Sequence, residues 1–242
     1  MRRRPRADRA ARRARPVDAT APAPASSSRT APASPASATS SSAPRGTCAG
    51  TGGCSDCCGG PACTPELASC KGPTRPGAKV RLRSQLGVKD RVDFQWKHGE
   101  TTTIFDLGDP LSSTDYTLCV FHEVGGSPEL AYQAIAPAGG TCAGAPCWRA
   151  TGSRGFAYRD AERTPDGIDL IKLKVGSDGR ASALVKGKGP SLRVPFLGDG
   201  SGGGLSTPVT VQLRSSDAAC LEATFSTPQR DGPYEFRSRD GQ

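Results

Sequence analysis

The sequence predicts an all-β protein: an antiparallel β-sandwich, jelly-roll or immunoglobulin-like, preceded by a disordered tail and a short cysteine-rich segment. Three observations predict it. Apolar residues beyond about position 75 recur at every second position, and no sustained helical stripe is present. Turn dipeptides such as Asp166-Gly167 and Asp178-Gly179 separate the alternating runs. Ten cysteines divide six and four between a neck and a main domain, the usage of an oxidising compartment.

Residues 1–46 come first. They hold no aromatic residue and only Val17 and Met1 as apolar residues larger than Ala. Such a stretch buries too little apolar surface to offset its ordering entropy, so it reads as disordered. Its ten arginines, Arg2 to Arg45, face two acids, Asp8 and Asp18. The whole chain has 32 basic and 23 acidic residues, which leaves 22 and 21 beyond position 46. The net charge of +9 is therefore +8 of tail and +1 of everything else, which argues against a large basic patch on the folded part. The Arg-rich start lacks the apolar core of a secretory signal. The expectation is a solvated tail, with a true signal outside the given sequence and a nucleic-acid arm as the sharper, less favoured reading.

Residues 47–73 follow, with Cys48, Cys54, Cys57, Cys58, Cys63 and Cys70 among Gly, Ser and Pro. Cross-links can replace a core too small to hold itself together, and six cysteines allow 15 pairings. Zinc is the competitor: Cys54-Ser-Asp-Cys57 has the spacing of a thiolate claw, with Cys58 and Cys63 as a second pair. Disulfides are preferred, because Cys57 and Cys58 are adjacent, no histidine is near and four more cysteines follow.

Residues 75–228 are the predicted sandwich, long enough for a real core. Alternation predicts strands at 79–83, 92–97 and 209–213. Tyr116–Phe121 is apolar on both faces and reads as a central strand. The apolar phase shifts between Leu170 and Ile171, which predicts a β-bulge keeping both halves on the core. Asp178-Gly179 predicts a two-residue hairpin turn to the strand 181–185. Further strands are expected at 130–135, 147–151, 155–159 and 219–225, about ten in all, and residues 229–242 as a flexible tail. Of the domain's cysteines, Cys142 and Cys147 would close a small loop, leaving Cys119 to pair with Cys220 on the outer face of neighbouring strands.

Several motifs occur together in order. They are Asp93-Phe94-Gln95-Trp96-Lys97, Tyr116–Val120, Pro137–Cys142 with Pro146-Cys147-Trp148, Thr164–Ile168, Val185–Gly189, Thr207–Leu213, and Cys220 followed by Glu222–Phe225. Over residues 78–227 this string resembles a β-rich module of bacterial secreted and cell-surface proteins, often appended to other domains. The resemblance implies location and architecture and carries no activity with it. That family often has Trp after the last cysteine, where this chain has Leu221.

Candidate site residues are few. His98 and His122 both follow predicted strands, without a recognisable nucleophile elbow. Asp106, Asp109 and Asp115 share a loop but lack the calcium-loop pattern and suit turns. The Gly-rich stretch 199–204 lacks the ending of a phosphate loop. Lys172, Lys174, Lys186, Lys188 and Arg193 make a modest basic face on one hairpin, which reads first as a solvated face, with a weak acidic-polysaccharide or membrane-surface contact as the sharper reading. No run is apolar enough for a membrane-spanning helix. The function expected is therefore a non-catalytic accessory module without a cofactor, its partner a cell-surface polymer or another protein. A hydrolase using loop carboxylates, or a nucleic-acid or zinc protein using the tail and cysteine cluster, are the alternatives.

Overall fold

A computed structural model of the chain describes residues 70–85, 87–198, 203–217 and 220–242. The expectations for residues 1–46 and for Cys48, Cys54, Cys57, Cys58 and Cys63, zinc included, lie outside the described residues.

Among the described residues fourteen strands follow in chain order: β1 (Ala78–Arg83), β2 (Arg91–Gly99), β3 (Tyr116–Val124), β4 (Ser127–Ala136), β5 (Thr141–Cys142), β6 (Ala145–Pro146), β7 (Trp148–Ala150), β8 (Gly155–Arg159), β9 (Ile168–Lys174), β10 (Ala181–Lys188), β11 (Val209–Ser215), β12 (Cys220–Phe225), β13 (Arg230–Gly232) and β14 (Glu235–Gly241). An eight-stranded antiparallel sheet runs β13-β14-β1-β2-β10-β9-β8-β7, and a four-stranded one runs β12-β11-β3-β4. Their inner faces meet as a sandwich. Phe94, Trp96, Val185, Ile171 and Phe236 come from the larger sheet; Leu118, Val120, Val211, Ala223 and Phe225 come from the smaller.

The alternation predicted this: in β1, β2 and β10 the inward residues are buried while their neighbours stay partly or fully exposed, whereas β3 and β8 are buried on both faces over most of their length. Two buried tryptophans tie the layers. The Trp96 indole N–H donates to the Glu222 carbonyl oxygen across the sandwich (2.9 Å), and that of Trp148 donates to Pro137 O (2.8 Å). Trp148 also stacks at a tilt between Tyr116 and Tyr158, with centroids 5.5 and 5.1 Å away. Each buried N–H thus has an acceptor, without which burial would be costly.

Four expectations are corrected. The domain does not end at 228: β14 lies between β1 and β13, with Phe236 in the core. The cysteine-rich segment does not stop short of the sheets either. Lys71 bridges Leu221, and Pro73 bridges Gly99. The bulge in β9 falls at Asp169, because Leu170 and Ile168 face the consecutive residues Lys186 and Gly187. Ile168 and Ile171 point inward and Leu170 is left half-exposed. The β9–β10 turn is longer than two residues. Arg180 N–H closes on Ser177 O around Asp178-Gly179, with Gly179 at φ +76°, and Gly176 pairs with Thr102.

The Cys119–Cys220 pairing is also overturned. β11 separates the two strands, with Gln212 beside Cys119 and Arg214 beside Cys220. Two strand spacings put the cysteines about 10 Å apart or more, beyond the ~7 Å a disulfide can bridge. Cys220 bonds instead to Cys70, at a Cα separation of 4.6 Å, and Cys142 bonds to Cys147 as expected. Cys119 is disulfide-bonded as well. It is fully buried on the outer face of the smaller sheet, with Phe121 and Leu130. Covalent cross-linking of this kind belongs to an oxidising environment. Among the described residues no helix is long and apolar enough to cross a membrane.

Candidate polyanion-binding face

The outer face of the eight-stranded sheet gathers cations from strands far apart in the chain. Residues directly opposite in antiparallel strands share a face, so the register reads as rows. One row is Arg149, Ala157, Lys172, Leu184, Gln95, Lys79 and Arg239. The next, two residues along the strands, is Arg159, Leu170, Lys186, Asp93, Arg81, Arg237 and Arg230. These two rows hold nine cations and one carboxylate. A third contains Lys188, Arg91, Arg83 and Glu235. Neighbouring rows lie about 7 Å apart and neighbouring strands about 4.8 Å, so the charges form a broad plane. A shallow cleft of about 360 Å³ opens on it, lined by Lys79, Arg81, Asp93, Lys186, Arg237 and Arg239 among others.

Few carboxylates neutralise this plane. Arg91 Nε donates to Asp93 (2.6 Å), Arg81 Nε and Arg230 Nη1 both donate to Glu235 (2.8 and 2.9 Å), and Lys188 pairs with Asp169 (3.3 Å). Partial burial pushes the Glu235 carboxyl up, but its hydrogen bonds and charge contacts with Arg230 and Arg81 outweigh this and hold it below the ordinary value. The Asp93 hydrogen bond and charge raise the Arg91 guanidinium further. Lys79, Lys172, Lys186, Arg149, Arg159, Arg237 and Arg239 have no carboxylate partner among the described residues.

A near-neutral domain acquires a basic face because its acids serve elsewhere. Buried Asp90 accepts the N–H groups of Gln85 (2.7 Å), Gly87 (3.1 Å) and Val194 (3.1 Å). Asp115 accepts from Ala138 N–H, Asp160 from Glu162 and Thr164, Asp166 from Ile135, and Asp178 from Thr101. Loop backbone donors left outside a ladder need such acceptors. The strands, by contrast, carry Lys and Arg at their wet positions. The net charge of +1 was therefore misleading as an argument against a basic patch: a sum is blind to segregation.

The expected hairpin face is the centre of this plane, with Lys172, Lys174, Lys186 and Lys188 all directed outward on β9 and β10. Arg193 is not part of it; it sits past a 3-10 turn at φ +49°. Sequence reasoning missed Lys79, Arg81, Arg237 and Arg239. The outward positions of β1 were visible as alternation, but the pairing of β14 with β1 had no local signal.

The other candidates are not brought together. His98 lies at the end of β2 in the larger sheet, at φ +58°, its Nδ1 3.1 Å from Arg75 Nη2 and its carbonyl accepting from Thr74. His122 is on β3 in the smaller sheet, opposite Glu129; burial lowers its pKa, with Glu129 opposing. Asp106 holds Thr103 N–H (2.6 Å) and pairs with Lys71 (3.0 Å), and Asp109 holds Leu111 N–H and the Ser112 hydroxyl. Among the described residues no group of three or more His, Cys, Asp and Glu is placed to hold a metal ion. The chain matches no protein-family model, no curated protein and no solved structure.

Proposed function

We propose that the domain is a non-catalytic module of a bacterial secreted or cell-surface protein, which holds an anionic surface polymer against the outer face of its larger sheet. One observation carries the reading: two adjacent rows across the sheet present nine cations and a single carboxylate. Such a plane concentrates a polyanion and releases its counterions, giving affinity that falls with salt. The disulfides support placement outside the cytoplasm. The loop acids that a hydrolase would need are engaged by backbone donors, which favours a module over an enzyme.

The test is retention of the full chain on an immobilised polyuronate at increasing salt. The wild type is compared with Lys79→Glu/Lys186→Glu/Arg239→Glu and with a variant whose Arg2, Arg3, Arg4 and Arg6 are alanine. The face variant is expected to elute at markedly lower salt and the tail variant nearly as the wild type. If the tail variant loses the retention and the face variant keeps it, the proposal fails.

A further inference from the structure

We propose that the exposed pair Phe196 and Tyr234 is a sugar-stacking subsite at one end of the cationic plane, which makes the polymer an acidic polysaccharide. This rests on the reading above and specifies its ligand.

The two rings meet edge to face with centroids 5.4 Å apart, yet remain 49% and 52% exposed. They are far apart in sequence and come from different loops, and backbone hydrogen bonds lock those loops together. Leu197 N–H donates to Pro233 O (2.9 Å) and Ser84 N–H to Tyr234 O (2.9 Å), while the Ser84 hydroxyl reaches Val194 O (3.1 Å). Asp90 fixes Val194 from the other side. Gly198 completes the arrangement: a Cβ there would come within 2.6 Å of the Phe196 ring. The platform is thus preorganised, and its apolar surface is left wet at the cost of solvation.

Its surroundings carry the charge. Tyr234 shares a cleft with Arg83, Arg230 and Glu235, and Arg230 is the last member of the second cationic row. A pyranose offers the matching chemistry: its C–H face lies on an aromatic ring, while its carboxylate or sulfate takes a guanidinium fork. A single-stranded nucleic acid matches less well. It needs a succession of rings for successive bases, whereas the two central rows offer no ring, only Ala157, Leu170, Leu184 and Gln95 between their charges.

The experiment uses the full chain and four probes: an oligouronate, neutral dextran of similar length, a single-stranded oligonucleotide, and phosphatidylglycerol vesicles. Phe196→Ala/Tyr234→Ala is expected to weaken oligouronate binding about tenfold with the slope of log Kd against log salt unchanged. The conservative Tyr234→Phe should retain binding. Lys79→Glu/Lys186→Glu should lower both affinity and slope, which separates the subsite from the plane. Dextran should bind neither form. Unchanged oligouronate affinity in the aromatic double variant would overturn the subsite and leave the plane intact. An oligonucleotide or vesicle preferred over oligouronate, and lost in the same variant, would overturn the assignment of the ligand. If the charge variant also binds as the wild type, the polyanion reading itself falls.

Discussion

Removing each disulfide in turn tests the topology, because the two close very different loops. Cys70–Cys220 spans 150 residues and Cys142–Cys147 spans 5. In the chain-entropy model the first restricts the unfolded chain by about 5 kcal/mol and the second by about 2 kcal/mol. The long bond also anchors the Lys71–Leu221 bridge, where Lys71 N–H donates to Cys220 O (2.8 Å) and Glu222 N–H to Lys71 O (2.9 Å). Replacing both cysteines of a pair with alanine avoids leaving a free thiol. For a domain of this size each kcal/mol moves the melting temperature by roughly 2–4 °C. Cys70→Ala/Cys220→Ala is therefore expected to melt about 10–20 °C lower, and Cys142→Ala/Cys147→Ala about 4–8 °C lower. Calorimetry and urea titration of the full chain measure both. Equal losses, or a larger loss for the short loop, would refute the reasoning, as would a non-reduced peptide map that links Cys119 to Cys220.

Three further outcomes are expected. Asp90→Ala strips three backbone N–H groups of their acceptor and should cost on the order of 3 kcal/mol in urea unfolding; it should also weaken oligouronate binding, since the loop carrying Phe196 is released. A variant as stable as the wild type would show that water replaces the carboxylate. Gly99→Ala places a methyl inside the Trp96 ring, so a loss of about 1–3 kcal/mol and altered Trp fluorescence are expected; an unchanged spectrum would mean that the indole is not packed there. His122 has its pKa lowered by burial below the ordinary 6.5, so between those two values the unfolded chain binds more protons. Stability should then fall as pH drops from about 6.5 through the folded value, and His122→Gln should flatten that limb in urea midpoints taken across pH; parallel curves for the two proteins would refute the shift.

Much of the architecture could be read locally. Every strand expected from alternation is present, and the doubly apolar Tyr116–Phe121 does sit between β11 and β4. The misses share one cause. The β14 strand Glu235–Gly241 has inward Phe236 and Ser238, too weak an apolar signal to register, and only its pairing with β1 makes it part of the core. Cys119 and Cys220 lie on the same outer face, as alternation suggested, but alternation says nothing of which strand stands between them. The Asp169 bulge was detectable as a phase shift and misplaced because Leu170 reads as core until the pairing with β10 shows Asp169 as the extra residue.

The strands with strong alternation, most of their inner and outer faces, and the oxidising setting follow from the sequence alone, because side-chain period and cysteine usage are local properties of the chain. The basic plane and the aromatic platform do not. Lys79 stands beside Arg239, and Phe196 beside Tyr234, only because strand order brings distant segments into register. Charge and ring placement across a sheet depend on long-range pairing, and a sum over the chain averages that away.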